Sequence, residues 1–89
     1  MSQIDESLIE FPTPFAVKVM GRNKPHFAAH VRALVMQHTD EHEPLREESR
    51  ESKNGRFVSV TIEITAVNRA QLDSIYQVLT DDDDVLMAL

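Results

Sequence analysis

Hydrophobic residues recur along the chain with two different periods, one typical of strands and one typical of helices. The clearest alternation runs through RFVSVTIEITA, residues 56–66, where apolar side chains at every second position are separated by hydroxyl-bearing or charged ones. A shorter alternation in PFAVKVM predicts another strand at about residues 14–20. The two prolines of FPTPF favour extended backbone before that strand and are incompatible with a helix interior.

A helical period follows each of these strands. The first helix is predicted at about residues 24–38, and its apolar stripe consists of Phe27, Val31, Leu34 and Val35. The second helix is predicted to start after Asn68, with Gln71 three residues later as in a capping box, and to end at about Leu79 or Thr80. Its stripe consists of Leu72, Ile75, Tyr76 and Leu79. Burying one such side chain contributes roughly 1.5–3 kcal/mol, so each stripe should pack against a sheet.

Turn-forming residues mark the ends of these elements. Gly21 ends the first strand and is predicted to adopt a positive φ, which glycine tolerates without steric cost. Asn23 is then predicted to cap the first helix, with Pro25 in its first turn. The dipeptide Asn54-Gly55 predicts a type I′ hairpin turn before the strand at residues 56–66.

Two further strands are predicted from weaker signals. Residues 44–50 are polar and charged, which suits an edge strand whose charges discourage aggregation. Residues 85–89, after four consecutive aspartates, are too apolar to remain in solvent and are predicted to pair as a short last strand. Residues 1–10 have no period and are predicted to be a loosely ordered terminus, followed by one α+β domain of residues 11–89.

The element order β-α-β-β-α-β predicts a ferredoxin-like two-layer sandwich, in which two helices cover one face of a four-stranded antiparallel sheet. The expected strand order is 4-1-3-2. The predicted core is Phe15, Val17, Val19, Phe27, Val31, Leu34, Val58, Val60, Ile62, Ile64, Leu72, Ile75 and Leu79. The uncovered face of the sheet should show Ala16, Lys18, Met20, Ser59, Thr61 and Glu63. Lys18 and Glu63 are a candidate cross-strand pair on that face.

Composition and charge exclude several classes of function. The net charge of −6 and pI near 5.0 repel phosphate, so neither nucleic acid nor an anionic membrane is an expected partner. The absence of cysteine excludes disulfides, thiolate nucleophiles and zinc–thiolate sites. No apolar run approaches the roughly 20 residues that span a bilayer. The acidic opening MSQIDESLIE does not resemble a signal peptide, and we expect a cytoplasmic protein.

Few side chains point to catalysis or metal binding. No serine lies in a G-x-S-x-G context or has a recognisable partner base, so we expect no enzymatic activity. His26 and His30 are spaced for one helix face but lack the glutamate of the zinc-protease motif, and we interpret them as solvated. The run from Asp81 to Asp84 lacks the ligand spacing of a calcium loop and is interpreted as a solvated turn. No metal or cofactor is therefore predicted.

The basic residues near the hairpin do not indicate a phosphate site. Arg46, Arg50, Lys53 and Arg56 are interleaved with glutamates, so the segment is locally near neutral and is interpreted as a hairpin rim. RNA-binding domains with the same element order stack bases on aromatic residues of the exposed sheet face. The residues predicted for that face include no aromatic ring, which is a second argument against RNA binding.

The turn after the first strand is the candidate ligand site. A glycine turn that meets a helix N-terminus can bind an anion through free backbone N–H groups. Met20, Gly21, Arg22 and Asn23 are the residues in question, and a small carboxylate is the ligand that they would suit. The alternative is an ordinary turn between a strand and a helix.

Several blocks of the sequence resemble the YbeD-like family of small bacterial proteins. These blocks are EFPTPF at residues 10–15, KVMG at 18–21, SKNG at 52–55 and SVTI at 59–62. The resemblance covers nearly the whole chain and implies a bacterial βαββαβ domain, similar in architecture to the ACT domains that regulate metabolic enzymes. By that analogy the turn at Gly21, Arg22 and Asn23 would face a ligand, and a neighbouring subunit would complete the site.

Two hypotheses follow. In the first, the chain is a non-enzymatic regulatory or ligand-sensing ACT-like module that acts on a metabolic enzyme or by self-association, with a small carboxylate bound at residues 20–23. In the second, it is a protein-interaction adaptor without a small-molecule ligand, which uses its sheet face or an exposed edge strand.

Overall fold

The computed structural model describes residues 9–89 and contains four strands and two helices in that range. The strands are β1 (Thr13–Arg22), β2 (Arg46–Glu51), β3 (Phe57–Ala66) and β4 (Val85–Ala88), and the helices are α1 (Phe27–Met36) and α2 (Arg69–Thr80). The prediction of a loose terminus at residues 1–10 falls mainly on residues 1–8, which lie outside the described residues. From residue 9 onward no helix is long and apolar enough to cross a bilayer.

The four strands form one antiparallel sheet in the order β2-β3-β1-β4, which is the predicted order read from the opposite edge. In β3 every second residue from Val58 to Ala66 is buried, and the residues between them are partly exposed. The buried residues of α1 and α2 pack against these positions, so both helices lie on one face of the sheet. The ferredoxin-like βαββαβ fold is confirmed.

The core between the helices and the sheet is close to the predicted one. Its largest fully buried side chains are Ile62, Ile64, Ile75, Leu79, Val17, Val19, Val31, Val35 and Val60. On α1 the buried residues are Phe27, Val31 and Val35, whereas Leu34 is only partly buried. A spacing of four residues places these three side chains along one ridge of the helix, and Leu34 lies beside that ridge. The core assignments of Leu34 and Phe15 were therefore wrong, because both pack at its margin.

The face of the sheet away from the helices is called the open face below. Strand alternation and register place on it Ala16, Lys18, Met20 and Arg22 of β1, Phe57, Ser59, Thr61 and Glu63 of β3, Arg46, Glu48 and Arg50 of β2, and Met87 of β4. All six residues predicted for this face are present. Phe57 corrects the expectation that the face has no aromatic ring.

The register also corrects the predicted pair between Lys18 and Glu63. Lys18 lies opposite Thr61, and Glu63 lies opposite Ala16 on β1 and Arg46 on β2. The Arg46 Nε atom is 3.5 Å from Glu63 Oε1. Glu63 is thus paired with the neighbouring edge strand, and Lys18 is not its partner.

The hairpin between β2 and β3 is confirmed, but its turn is not of type I′. Gly55 has a φ of 77°, whereas Asn54 does not have the positive φ that this turn type requires. The Ser52 carbonyl accepts a hydrogen bond from Gly55 N–H, and the Ser52 hydroxyl accepts one from Phe57 N–H. The Asn54 side chain accepts one from Arg56 N–H, as polar turn residues often do. A longer loop therefore connects the strands.

Only one of the two predicted helix caps is correct. Asn68 Oδ1 accepts a hydrogen bond of 2.8 Å from Gln71 N–H at the start of α2, and the Gln71 side chain reaches back to Val67 N–H. Helix α1 begins at Phe27, later than predicted, and the residue before it is His26 with a φ of 67° and no side-chain capping bond. Asn23 lies too far upstream to cap this helix.

Candidate functional site

The four predicted site residues do not gather at a helix N-terminus. Met20, Gly21 and Arg22 are the last residues of β1, and Asn23 follows that strand. The Asn23 side chain donates a hydrogen bond of 3.0 Å to the Gly55 carbonyl, and its backbone N–H donates one to the Arg56 carbonyl. This segment is therefore tied to the β2–β3 hairpin. That it binds a ligand remains a prediction.

The explanation offered for Gly21 was wrong. Gly21 is buried within β1 and does not have a positive φ. A Cβ atom at this position would collide with the Phe27 ring and would lie 2.6 Å from the Asp84 carbonyl oxygen. The register between β1 and β4 also shifts between Met20 and Gly21, as at a β-bulge. Glycine is required here because α1 and the segment before β4 approach the strand closely.

Strand alternation separates the other predicted site residues. Met20 and Arg22 lie on the open face, whereas Gly21 faces the helices. Asn23 lines a depression of about 310 Å³ together with Lys24, His26, Phe27 and Arg50, among others. A small ligand bound beside the turn could contact the polar groups of these residues.

A second group of polar residues lies at the centre of the open face. Ser59 lies between Met20 and Arg50, and Thr61 lies between Lys18 and Glu48. Short hydroxyl side chains on β3 therefore form the floor of a depression, and longer side chains on the two adjacent strands form its walls. The depression has a volume of about 150 Å³.

The alternation of β2 concentrates positive charge on the open face. The sequence REESRE has almost balanced charges, but Arg46, Glu48 and Arg50 lie on the open face while Glu47 and Glu51 lie on the helix side. With β1 and β3 included, the open face carries four cationic side chains and two carboxylates. The cations are Lys18, Arg22, Arg46 and Arg50, and the carboxylates are Glu48 and Glu63. The charges of this segment almost cancel when they are summed along the sequence, as predicted. They do not cancel on the open face, because two of the three glutamates lie on the helix side.

The two carboxylates of the open face are engaged by one arginine. Arg46 Nη1 lies 3.2 Å from Glu48 Oε1, and Arg46 Nε lies 3.5 Å from Glu63 Oε1. The salt bridges formed within residues 9–89 do not include Lys18 or Arg50. These two cations both line the 150 Å³ depression.

An apolar depression adjoins the polar one. It has a volume of about 130 Å³, and Met20, Phe57 and Val58 contribute to its lining. Arg50 and Ser59 line both depressions, so the two are continuous across one row of the sheet. Met87 of β4 lies opposite Met20 and is half exposed. The open face thus offers a cationic patch beside an apolar one.

A third cluster joins α1 to the segment before β4. His30 Nε2 lies 2.8 Å from Asp82 Oδ2, and Lys24 Nζ lies 2.9 Å from Asp84 Oδ1. Single donor atoms of His30, Asp82 and Asp84 lie within 4.8 Å of one another, a spacing that a metal could use, but Lys24 already supplies a cation to this cluster. The predicted solvated turn therefore also fastens α1 to the sheet, which sequence spacing did not reveal.

Asp84→Asn is expected to destabilise the protein at neutral pH and to have progressively less effect in acid. The hydrogen bond and the charge of Lys24 hold the pKa of Asp84 below its usual value. A carboxyl group with a lowered folded-state pKa contributes stability above its unfolded-state pKa, and that contribution is lost as the pH falls through the folded-state pKa. Urea denaturation over a pH series measures the difference.

Asp83→Asn is the matched control, because Asp83 is an exposed residue of the same turn. Its stability should parallel that of the wild type across the pH series. A loss of stability in Asp84→Asn that stays constant with pH would contradict the assigned role of the carboxylate.

Nothing in the described residues indicates catalysis. They include no buried charged or polar residue. Burial raises the pKa of Tyr76, but its hydroxyl donates a hydrogen bond of 2.7 Å to the Leu89 carbonyl in a position that ties α2 to the end of β4. We assign this tyrosine a structural role.

Comparison with known proteins places the chain in a family. A family model described as "Protein of unknown function (DUF493)" matches residues 6–89. A UPF0250 protein of Paraburkholderia phytofirmans is 41% identical over 80 residues, which cover 90% of each chain. UPF0250 protein NE1487 of Nitrosomonas europaea is 40% identical over 85 residues, covering 96% of this chain and 98% of the relative.

A solved structure shares the fold. The solution structure of protein HP0495 from H. pylori matches this chain with a TM-score of 0.69 at 18% sequence identity. The match covers 100% of this chain and 98% of the HP0495 chain. At this identity the likeness supports the fold alone. The family model and the sequence relatives, in agreement with the resemblance to YbeD-like proteins, establish that the chain belongs to the DUF493/UPF0250 family of bacterial proteins.

Proposed function

We propose that this chain is a non-enzymatic regulatory module that acts by docking on a partner protein through its open face. The observation that carries the proposal is that Lys18 and Arg50, which the described salt bridges do not include, lie beside partly exposed apolar side chains on a chain with a net charge of −6. A partner that offers both a negative charge and an apolar side chain would be complementary to this surface.

The composition of the open face suits a protein interface. Methionine, arginine and aromatic residues are enriched in interfaces relative to the rest of the surface. Met20, Phe57 and Arg50 line one depression on this face, and Met87 extends the apolar area to the edge strand. A module of this kind regulates its partner through binding free energy, because it stabilises whichever conformation of the partner it binds more tightly.

Sensing of a small carboxylate is the second candidate. It is favoured by the 310 Å³ depression beside Asn23, into which Lys24, His26 and Arg50 bring cationic or ionisable groups. A ligand that binds only the folded state raises the melting temperature. Amino acids and short organic acids should therefore shift the Tm of the wild type, and the shift should fall in Asn23→Ala.

The docking proposal is tested with two charge-reversal variants that carry the same net charge. Lys18→Glu/Arg50→Glu alters the open face, and Lys53→Glu/Arg69→Glu alters exposed cations in the hairpin turn and at the start of α2. Each tagged protein is crosslinked in its native host, and captured partners are quantified by mass spectrometry. We expect the control to retain partners that the open-face variant loses by roughly tenfold or more.

Equal capture by the two variants, with crosslinks that map to the helices, would refute docking through the open face. Sedimentation equilibrium of the purified wild type separates a different partner from a second copy of this chain. A dimer that Lys18→Glu/Arg50→Glu dissociates would identify self-association as the mode of docking.

A further inference from the structure

We propose that the open face binds an acidic segment of a protein, with Lys18 and Arg50 contacting a carboxylate above Ser59 and Thr61 and the Met20–Phe57 depression receiving a neighbouring apolar side chain. This inference rests on the proposed function and adds the chemistry of the partner. It is carried by the charges of the face, by the sizes of its two depressions and by the distance between them.

The charges favour a carboxylate. Arg46 engages both Glu48 and Glu63, which leaves Lys18 and Arg50 as the cations of the polar depression that the described salt bridges do not include. The hydroxyl groups of Ser59 and Thr61 on its floor can donate hydrogen bonds to an oxygen anion. An arginine and a lysine on either side of two hydroxyls match the oxygens of an aspartate or glutamate side chain.

The volumes favour side chains of a larger partner over a free metabolite. The two depressions measure about 150 and 130 Å³. Sites for small molecules usually measure roughly 300–1,000 Å³. Each depression on the open face therefore accommodates one side chain and leaves the rest of the ligand outside, as in docking of a polypeptide.

The spacing predicts the arrangement of the two side chains. The polar depression is centred on Ser59 and Thr61, and the apolar one extends from Ser59 to Phe57. Adjacent positions on one face of a strand are about 7 Å apart. An extended segment presents its residues i and i+2 with the same separation, so a leucine and a glutamate with one residue between them fit the two depressions.

The charge of the whole protein argues against nucleic acid at this face. A net charge of −6 opposes the approach of a polyanion, whereas one carboxylate on a short segment mainly experiences the local field of the depression. That field is set by Lys18 and Arg50, since the Glu48 carboxylate at the same depression is paired with Arg46. Phe57 is the one aromatic side chain on the open face within residues 9–89, and RNA-binding sheets use several rings.

The test is an NMR titration of the isotope-labelled full-length chain with short synthetic peptides. The probe peptide contains Leu-Thr-Glu within a neutral sequence, and the comparison peptide contains Leu-Thr-Gln. We expect the probe to shift the amide signals of Met20, Phe57, Ser59 and Thr61. The glutamine peptide should bind about tenfold more weakly, since a hydrogen-bonded charge is lost.

Variants with neutral side chains of similar length assign the effect to the two cations. Lys18→Met/Arg50→Gln should weaken binding of the probe to the level of the glutamine peptide, and Lys53→Met in the hairpin turn should not. All three positions are exposed, so a preserved amide spectrum shows that each variant is folded.

Three outcomes would overturn the inference: equal affinity for the two peptides, shifts located away from the open face, or equal effects of acetate alone and the probe peptide. Tighter binding of a single-stranded RNA at this face would show that its ligand is a nucleic acid and not an acidic protein segment. If the crosslinking experiment implicates the open face and the acidic peptide does not bind, the docking function stands and only the acidic partner is refuted.

Discussion

Gly21→Val is expected to lower the free energy of unfolding by about 3 kcal/mol or more, and Gly21→Ala by about 1–3 kcal/mol. A side chain at this position collides with the Phe27 ring and with the backbone carbonyl of Asp84, so either α1 or the segment before β4 must move. The ring can adjust, but the carbonyl is fixed by the pairing of β4 with β1. Chemical denaturation measures both variants.

Two further variants separate steric crowding from backbone strain as the cause. In Gly21→Ala/Phe27→Leu the smaller side chain should recover part of the lost stability, because the two residues are in contact and their effects are coupled. At Gly55, with a φ of 77°, a Cβ atom would make only an ordinary contact with Glu51 Oε1 at 3.7 Å, so Gly55→Ala should cost about 1–2 kcal/mol through strain. A Gly21→Ala protein as stable as the wild type would disprove the close approach.

Ile62→Ala is expected to cost about 2–5 kcal/mol of unfolding free energy. Ile62 is fully buried at the centre of β3, in a core to which both helices and β1 contribute. Removing its outer carbons leaves a cavity that the rigid sheet cannot close. Urea denaturation gives the difference in free energy, with a slope that should not change.

Thr61→Ala is the matched control, because Thr61 is the preceding residue of the same strand and lies on the open face. Thr61→Ala should lower the free energy of unfolding by less than about 1 kcal/mol, because strand propensities at a partly exposed position differ by about that much. Similar losses at the two positions would contradict a sheet that is covered on one face only.

The proposed docking site was only partly foreseeable from the sequence. The alternation around Lys18, Met20, Ser59 and Thr61 predicted that these residues share the uncovered face of the sheet, and the structure confirms it. The basic character of that face was missed, because charges averaged along β2 almost cancel. The signal was available, since a period of two assigns Arg46 and Arg50 to one side and two of the three glutamates to the other.

The turn after β1 shows a different kind of error. Local rules assigned a positive φ to Gly21 and a capping role to Asn23. In the structure Gly21 is constrained by Phe27 and Asp84, and Asn23 binds the hairpin at Gly55. Asp84 and Gly55 are distant in sequence from their partners, and Phe27 contacts Gly21 only because α1 packs back onto β1. No local pattern could therefore identify these contacts.

The sequence by itself determined the types and order of the elements, the fold class and the face on which most strand residues lie. These properties follow from side-chain period and from capping within a few residues, as at Asn68. Only the tertiary structure decided the register that pairs Glu63 with Arg46 and the contacts of His30 and Lys24 with the aspartates before β4. It also decided why position 21 requires glycine. Each of these depends on how separate elements pack together, and packing distances are not encoded in local periodicity.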